Sequence, residues 1–88
     1  MILKELLERS EYTLVQGSED VEISTLVYDS RKIEKGSVFV CISGAAFDGH
    51  KFVAQAAELG AAAVVVEKDV EVPENLTVIK FDNTRPVS

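Results

Sequence analysis

The order of apolar and polar positions along the chain predicts a succession of short helices and strands. Residues 2–9 place their apolar side chains on one stripe and their charged side chains elsewhere, which predicts a short amphipathic helix. Five later stretches are rich in apolar, β-branched or aromatic residues and have the length of strands. These predicted strands cover residues 12–15, 23–28, 37–42, 62–67 and 76–81.

A second helix is predicted over residues 50–59, where apolar residues recur at helical spacing and Gly60 is suited to end the helix. The order strand, loop, helix, strand over residues 37–67 forms a βαβ unit. The two strands of this unit are nearly continuous apolar runs, which are typical of strands covered by helices on both faces. The pattern therefore predicts an α/β fold, a small three-layer α/β/α domain with a mixed sheet of four to five strands.

Composition and charge narrow the class of protein. The chain has 88 residues, of which 47% are hydrophobic, and this length and composition predict one globular domain over residues 1–88. Its net charge is −6. The acidic balance argues against a general nucleic-acid or anionic-membrane binder. The chain has one cysteine, no signal-peptide pattern and no apolar run of membrane-spanning length. We therefore expect a soluble cytoplasmic domain, and we expect it to be a monomer.

Two segments follow predicted strands at the positions where parallel sheets bind ligands, beyond the carboxyl ends of the strands. The first covers residues 28–31, in which the Ser30 hydroxyl and the Arg31 guanidinium could hold a phosphate or the edge of a base. The alternative is a simple turn, in which Asp29 and Ser30 supply turn chemistry and Arg31 pairs with Asp29 at the surface.

The second segment covers residues 43–50 and contains small residues that would let backbone N–H groups approach a ligand. Phe47 could lie against a planar base, and His50 could contact an anion. The alternative is an ordinary strand-to-helix connection with Asp48 as the N-cap. A single histidine without a partner is also more often a surface or capping residue than a ligand-binding one.

Several classes of enzyme are excluded by what the sequence lacks. It contains neither the phosphate-binding P-loop motif nor the dinucleotide-binding glycine pattern. One histidine and one cysteine do not make a metal-binding cluster, and no serine, histidine and aspartate set stands out as a catalytic triad. We therefore expect no catalytic residue, metal ion or cofactor in these 88 residues alone.

Three stretches together resemble a known family. They are Tyr-Asp-Ser-Arg-Lys-Ile-Glu-Lys-Gly-Ser-Val-Phe-Val-Cys-Ile at 28–42, Phe-Asp-Gly-His-Lys-Phe at 47–52 and Gly-Ala-Ala-Ala-Val-Val-Val-Glu at 60–67. In this order they resemble the N-terminal domain of the Mur ligases, most closely the MurE group. The resemblance runs from about residue 23 to residue 85, and residues 82–88 resemble the start of the linker that leaves this domain.

The resemblance implies a three-domain ligase of cytoplasmic peptidoglycan precursor synthesis. Its N-terminal domain would bind the UDP part of UDP-MurNAc-L-Ala-D-Glu, and the other domains of the same chain would use ATP and Mg to add L-lysine or meso-diaminopimelate. These 88 residues would then bind substrate without catalysing the reaction. The MurF group, which adds D-Ala-D-Ala, has a similar pattern and is the alternative within the family. A non-enzymatic α/β interaction module is the alternative outside it.

The resemblance also implies particular site residues. Ser30 matches the serine that contacts the UDP-sugar substrate, and Tyr28 matches a neighbouring residue of the nucleotide site. Ala45, Ala46 and Phe47 match a stretch that contacts the uridine. Some family members have His-Gln-Ala there, so in this chain polar recognition by that stretch would depend on its backbone.

Overall fold

The fold was taken from a computed structural model, which describes residues 1–8, 11–41 and 49–81. Within these ranges the chain forms two α-helices, five strands and two short 3₁₀ helices. The α-helices are α1 (Leu3–Leu7) and α2 (Val53–Glu58). The strands are β1 (Tyr12–Gln16), β2 (Thr25–Val27), β3 (Ser37–Val40), β4 (Ala63–Val66) and β5 (Thr77–Phe81). The 3₁₀ helices are Ser30–Lys32 and Gly49–Phe52.

The five strands form one mixed sheet in the order β1-β5-β4-β3-β2. Strands β2 to β5 are parallel to one another, and β1 pairs with β5 in the antiparallel sense. Strands β3 and β4, joined through α2, are the predicted βαβ unit. The predicted mixed sheet is therefore confirmed, and the carboxyl ends of its four parallel strands lie along the same edge.

Alternate residues of the central strands supply two separate hydrophobic clusters, one on each face of the sheet. On one face α2 packs through Val53 and Ala56, together with Phe39, Val64 and Val78 of the strands. On the other face α1 packs through Leu3 and Leu7, together with Val38, Val65 and Ile79. All four residues of β4 are buried, as its apolar run predicts. The three-layer arrangement is thus confirmed.

The predicted second helix is divided in two. Its first residues form the 3₁₀ helix Gly49–Phe52, and α2 continues from Val53. Gly60 ends the helix at a φ of 90°, in the left-handed region where a side chain would be strained. The N–H groups of Gly60 and Ala61 donate to the carbonyls of Ala57 and Ala56 at 3.1 and 3.0 Å, the hydrogen-bond pattern of a Schellman motif.

The amino-terminal elements pair through the backbone. The N–H groups of Leu3 and Lys4, in the first turn of α1, donate to the carbonyls of Val21 and Glu19 at 2.9 and 2.8 Å. The N–H of Ile23 donates to the carbonyl of Met1 at 2.8 Å. Ile23 is thus paired with the N-terminus, and β2 begins at Thr25, two residues later than predicted. In the described part of the chain, neither helix has the length and apolar character of a membrane span.

Candidate functional site

The turn that follows β2 is shaped by Asp29. Its backbone is extended, and its Oδ1 accepts a hydrogen bond from the Arg31 N–H at 2.9 Å, so Asp29 is the N-cap of the 3₁₀ helix Ser30–Lys32. The Asp29 carbonyl also accepts from the Lys32 N–H at 2.9 Å. The turn ends at Ile33, whose buried side chain joins the cluster under α2. The local sequence therefore fixes where the side chains of residues 28–31 lie.

Ser30 is the buried polar residue of this turn, with 8% of its surface exposed. Among the described residues, its hydroxyl forms no hydrogen bond to the protein, and no fully buried side-chain oxygen or nitrogen lacks a partner. The hydroxyl must therefore be open to solvent through the cavity that Ser30 lines. A hydroxyl in this position can donate one hydrogen bond and accept two from a bound molecule.

Asp29 and Arg31 form an ion pair beside Ser30. The Arg31 Nε and Nη2 atoms donate to Asp29 Oδ1 and Oδ2 at 3.2 and 3.0 Å. The side-chain hydrogen bond from Arg31, followed by that from the Arg31 backbone N–H, lowers the pKa of the Asp29 carboxyl. The same pairing raises the pKa of Arg31. The pair has no net charge, and three of the five N–H donors of the guanidinium remain available.

An open cavity of about 650 Å³ lies at the carboxyl end of β2, and we call it the carboxyl-end cavity. It contains two aromatic rings, a hydroxyl, a carboxamide and the neutral ion pair. Its lining residues are Tyr28, Asp29, Ser30, Arg31, Phe52 and Gln55. Tyr28 is 59% exposed, whereas Phe52 is half-buried against the cluster under α2. Flat rings beside a few directed polar groups suit a planar ligand with a polar edge.

The structure brings together three of the residues that the sequence suggested, namely Tyr28, Ser30 and Arg31. The surface pair of Arg31 with Asp29, which was the alternative interpretation, is also present. The turn therefore contains both the ion pair and the residues that line the cavity. Ala45, Ala46 and Phe47 lie outside the described residues, and their role stays a prediction.

His50 lies in a different environment. It is 5% exposed, it is absent from the cavity lining, and its Nε2 accepts a hydrogen bond from the Glu67 N–H at 3.0 Å. An Nε2 that accepts cannot carry the ring proton, so the neutral ring has its proton on Nδ1. The bond connects the 3₁₀ helix Gly49–Phe52 to the end of β4. Contact of His50 with an anion stays a prediction, and this geometry adds no support to it.

Sequence reasoning missed Phe52 and Gln55 as lining residues. Phe52 was included in the predicted second helix and in the family stretch at residues 47–52, without a contact to the ligand, and Gln55 was given no role. The two residues are three positions apart, so they share a side of the helix, while Val53 and Ala56 are buried against the sheet. The sequence did contain a signal for these two residues. An aromatic residue is followed three positions later by a carboxamide, directly after a predicted ligand-binding loop.

A second, smaller cavity of about 260 Å³ lies beside the amino-terminal part of β2, and we call it the amino-end cavity. Its lining is mostly aliphatic and consists of Met1, Leu6, Ile23, Ser24, Thr25 and Leu26. The N-terminal ammonium pairs with Glu22 at 2.9 Å nearby. Within the residues that the structure describes, no group of three or more histidine, cysteine, aspartate or glutamate side chains could hold a metal ion.

Comparison with known proteins identifies the family. The profile described as "Mur ligase family, catalytic domain" matches residues 22–86, which is most of the chain. The chain belongs to the Mur ligase family. The UDP-N-acetylmuramoyl-L-alanyl-D-glutamate--2,6-diaminopimelate ligase of Clostridium perfringens is 44% identical over 85 residues, covering 97% of this chain and 18% of that protein. The ligase of the same name from Listeria monocytogenes (strain EGD-e) is 46% identical over 72 residues, covering 82% of this chain and 15% of the relative.

Solved structures of Mur ligases share the fold. MurF from Acinetobacter baumannii (crystal structure II) is 28% identical with a TM-score of 0.70, covering 93% of this chain and 17% of that one. MurF from Thermotoga maritima, solved in complex with ADP, is 28% identical with a TM-score of 0.58, covering 68% and 14% of the two chains. The chain thus spans less than a fifth of the length of the relatives it matches.

Proposed function

We propose that the carboxyl-end cavity binds the uridine diphosphate part of UDP-MurNAc-L-Ala-D-Glu. The observation that carries the proposal concerns Ser30. The residue is 8% exposed, and its hydroxyl has no hydrogen bond among the described residues and is open to the cavity beside the Tyr28 and Phe52 rings. The relatives that this chain matches are named for a UDP-linked substrate. A uridine supplies both the planar face and the polar edge that this lining suits.

The roles of the residues follow from their chemistry. In the proposal, the uracil face lies against Tyr28 or Phe52, because aromatic rings stack on any base. The Ser30 hydroxyl forms one hydrogen bond to the nucleotide. The remaining N–H donors of Arg31 face the diphosphate, although the Asp29 carboxylate offsets the guanidinium charge. Binding should therefore depend on directed hydrogen bonds and stacking more than on net charge.

The larger protein of which this domain would form a part is proposed to be an ATP-dependent ligase that adds a diamino acid. The identities of 44% and 46% are to ligases named for 2,6-diaminopimelate, whereas the MurF structures are 26–28% identical. This difference favours the diamino acid over D-Ala-D-Ala as the added group. The 88 residues lack a P-loop, so ATP and Mg would be held by other domains of the chain.

Titration with UDP, followed by amide and aromatic NMR signals, tests the binding proposal. We expect saturable shifts at residues 28–31 and 52–55 at millimolar UDP or below, and much smaller shifts with inorganic pyrophosphate at the same concentration. NMR detects millimolar affinity, so weak binding by the domain alone would still be seen. The absence of saturable shifts, or equal shifts with pyrophosphate, would contradict uridine binding in this cavity.

The ligase proposal has its own test in the full-length parent protein. In an assay that contains UDP-MurNAc-L-Ala-D-Glu, ATP and Mg, we expect the protein to release phosphate from ATP only when 2,6-diaminopimelate or L-lysine is also present. Release only with the tripeptide-linked substrate and D-Ala-D-Ala would assign the parent to the MurF reaction instead.

A further inference from the structure

Gln55 lines the carboxyl-end cavity, yet no role in the fold or in the proposed function has been assigned to its side chain. The residue is exposed and lies on the side of α2 that faces away from the buried Val53 and Ala56. Its backbone carbonyl accepts the Leu59 N–H at 3.0 Å, which is a helix-ending bond. Among the described residues, its carboxamide forms no hydrogen bond to the protein. The carboxamide is therefore available to a ligand.

We propose that Gln55 is a further nucleotide-binding residue that recognises the hydrogen-bonding edge of the uracil ring. The inference rests on the proposed binding of uridine in this cavity. The uracil edge presents an N–H donor between two carbonyl acceptors, and a carboxamide presents one acceptor and two donors on the same plane. Gln55 can thus accept from the ring N–H and donate to a neighbouring carbonyl. Ser30, on the turn after β2, and Gln55, on α2, would contact the nucleotide from two elements.

The position of Gln55 makes the inference testable without damage to the fold. The residue contributes to neither hydrophobic cluster, so changes at this position should leave the free energy of unfolding nearly unchanged. Glu58 is exposed on the same helix and does not line the cavity, which makes Glu58→Gln a matched control.

Two substitutions separate hydrogen bonding from packing. Gln55→Leu keeps a similar volume and removes the carboxamide, so it should weaken UDP binding about tenfold, the effect of one or two lost hydrogen bonds. Gln55→Glu keeps the shape but leaves only acceptors. A carboxylate can still accept from the uracil ring N–H, but it repels the neighbouring carbonyl. The affinity for UDP should therefore fall in Gln55→Glu and stay unchanged in Glu58→Gln.

The experiment measures the UDP affinity of each variant by NMR titration, with thermal unfolding in parallel. Normal UDP affinity in both Gln55 variants, with weakened binding in Ser30→Ala, would overturn the role of Gln55 and leave the proposed function standing. A loss of affinity that follows a loss of stability would make Gln55 structural and would also overturn the inference. No UDP binding by the unmodified chain would overturn the proposed function itself.

Discussion

The two cavities at the ends of β2 differ in chemistry although the same edge strand borders both. The carboxyl-end cavity contains aromatic rings, a hydroxyl, a carboxamide and an ion pair, whereas the lining of the amino-end cavity is mostly aliphatic. The amino-end cavity also contains two hydroxyl groups, those of Ser24 and Thr25, and the Ser24 hydroxyl donates to the Lys35 carbonyl at 3.4 Å. The Ser30 hydroxyl has no such bond among the described residues.

The difference shows what the turn after a parallel strand contributes. Strands place alternate side chains in the core, so polar groups collect where a strand ends and the chain turns. Here the 3₁₀ helix Ser30–Lys32 directs side chains toward α2, and the 3₁₀ helix Gly49–Phe52 supplies the facing ring. At the amino end, β2 is preceded by residues that pair with the N-terminus and pack against α1. The residues at the amino end of β2 therefore contribute mainly to the packing of α1 on the sheet.

The largest effect should come from removing the histidine that holds the helix wall of the carboxyl-end cavity. His50→Ala deletes the acceptor of the Glu67 N–H and leaves space in a buried site. We expect the free energy of unfolding to fall by about 2 kcal/mol, the cost of an unsatisfied, partly buried donor. Chemical denaturation of the two proteins measures the difference.

His50→Gln is the control for this prediction, because its side-chain oxygen can accept the same hydrogen bond and should restore part of the stability. Unchanged stability in His50→Ala, combined with lost UDP binding, would contradict the structural role and would make His50 a ligand contact instead.

A pair of serine substitutions compares the two cavities directly. Ser30→Ala should weaken UDP binding by about 1–2 kcal/mol, the contribution of one hydrogen bond to a charged or buried group. Ser24→Ala makes the same chemical change in the amino-end cavity and should leave UDP affinity unchanged. Calorimetric or NMR titration of both variants measures the difference. Equal affinities in the two variants would remove the distinction between the cavities.

The smallest effect concerns the ion pair in the carboxyl-end cavity. The lowered pKa of Asp29 means that its contribution to stability is complete above the ordinary carboxyl pKa and is lost as the pH falls through the lowered value. In Arg31→Ala the pKa of Asp29 should rise toward its ordinary value, and the remaining backbone N–H bond should keep it somewhat low. Carbon-detected NMR titration follows this carboxyl. An identical midpoint in both proteins would show that Arg31 does not act on Asp29.

Much of the fold could be predicted from the sequence because helical and strand periodicities are local. The apolar runs predicted β3 and β4. The resemblance to the Mur ligases indicated Ser30 and Tyr28 as site residues, and both line the carboxyl-end cavity. The start of β2 could not be predicted, because it depends on pairing between Ile23 and the distant Met1.

The candidate site was predicted less completely than the fold. Residues 28–31 follow a strand, and the rule for parallel sheets places them at the ligand-binding edge. Phe52 and Gln55 line the cavity because of the way α2 packs on the sheet. This packing is a tertiary contact, which local sequence patterns do not predict. The burial of His50 is likewise tertiary, because its partner is 17 residues away at the end of β4.

The most direct test of uridine binding at the carboxyl end of β2 is the measurement of intermolecular NOEs between UDP and the domain. The uracil ring protons should give NOEs to the ring protons of Tyr28 and Phe52, and none to the side chains of Met1 and Leu6 in the amino-end cavity. NOEs to Met1 and Leu6, with none to the two aromatic rings, would contradict the account.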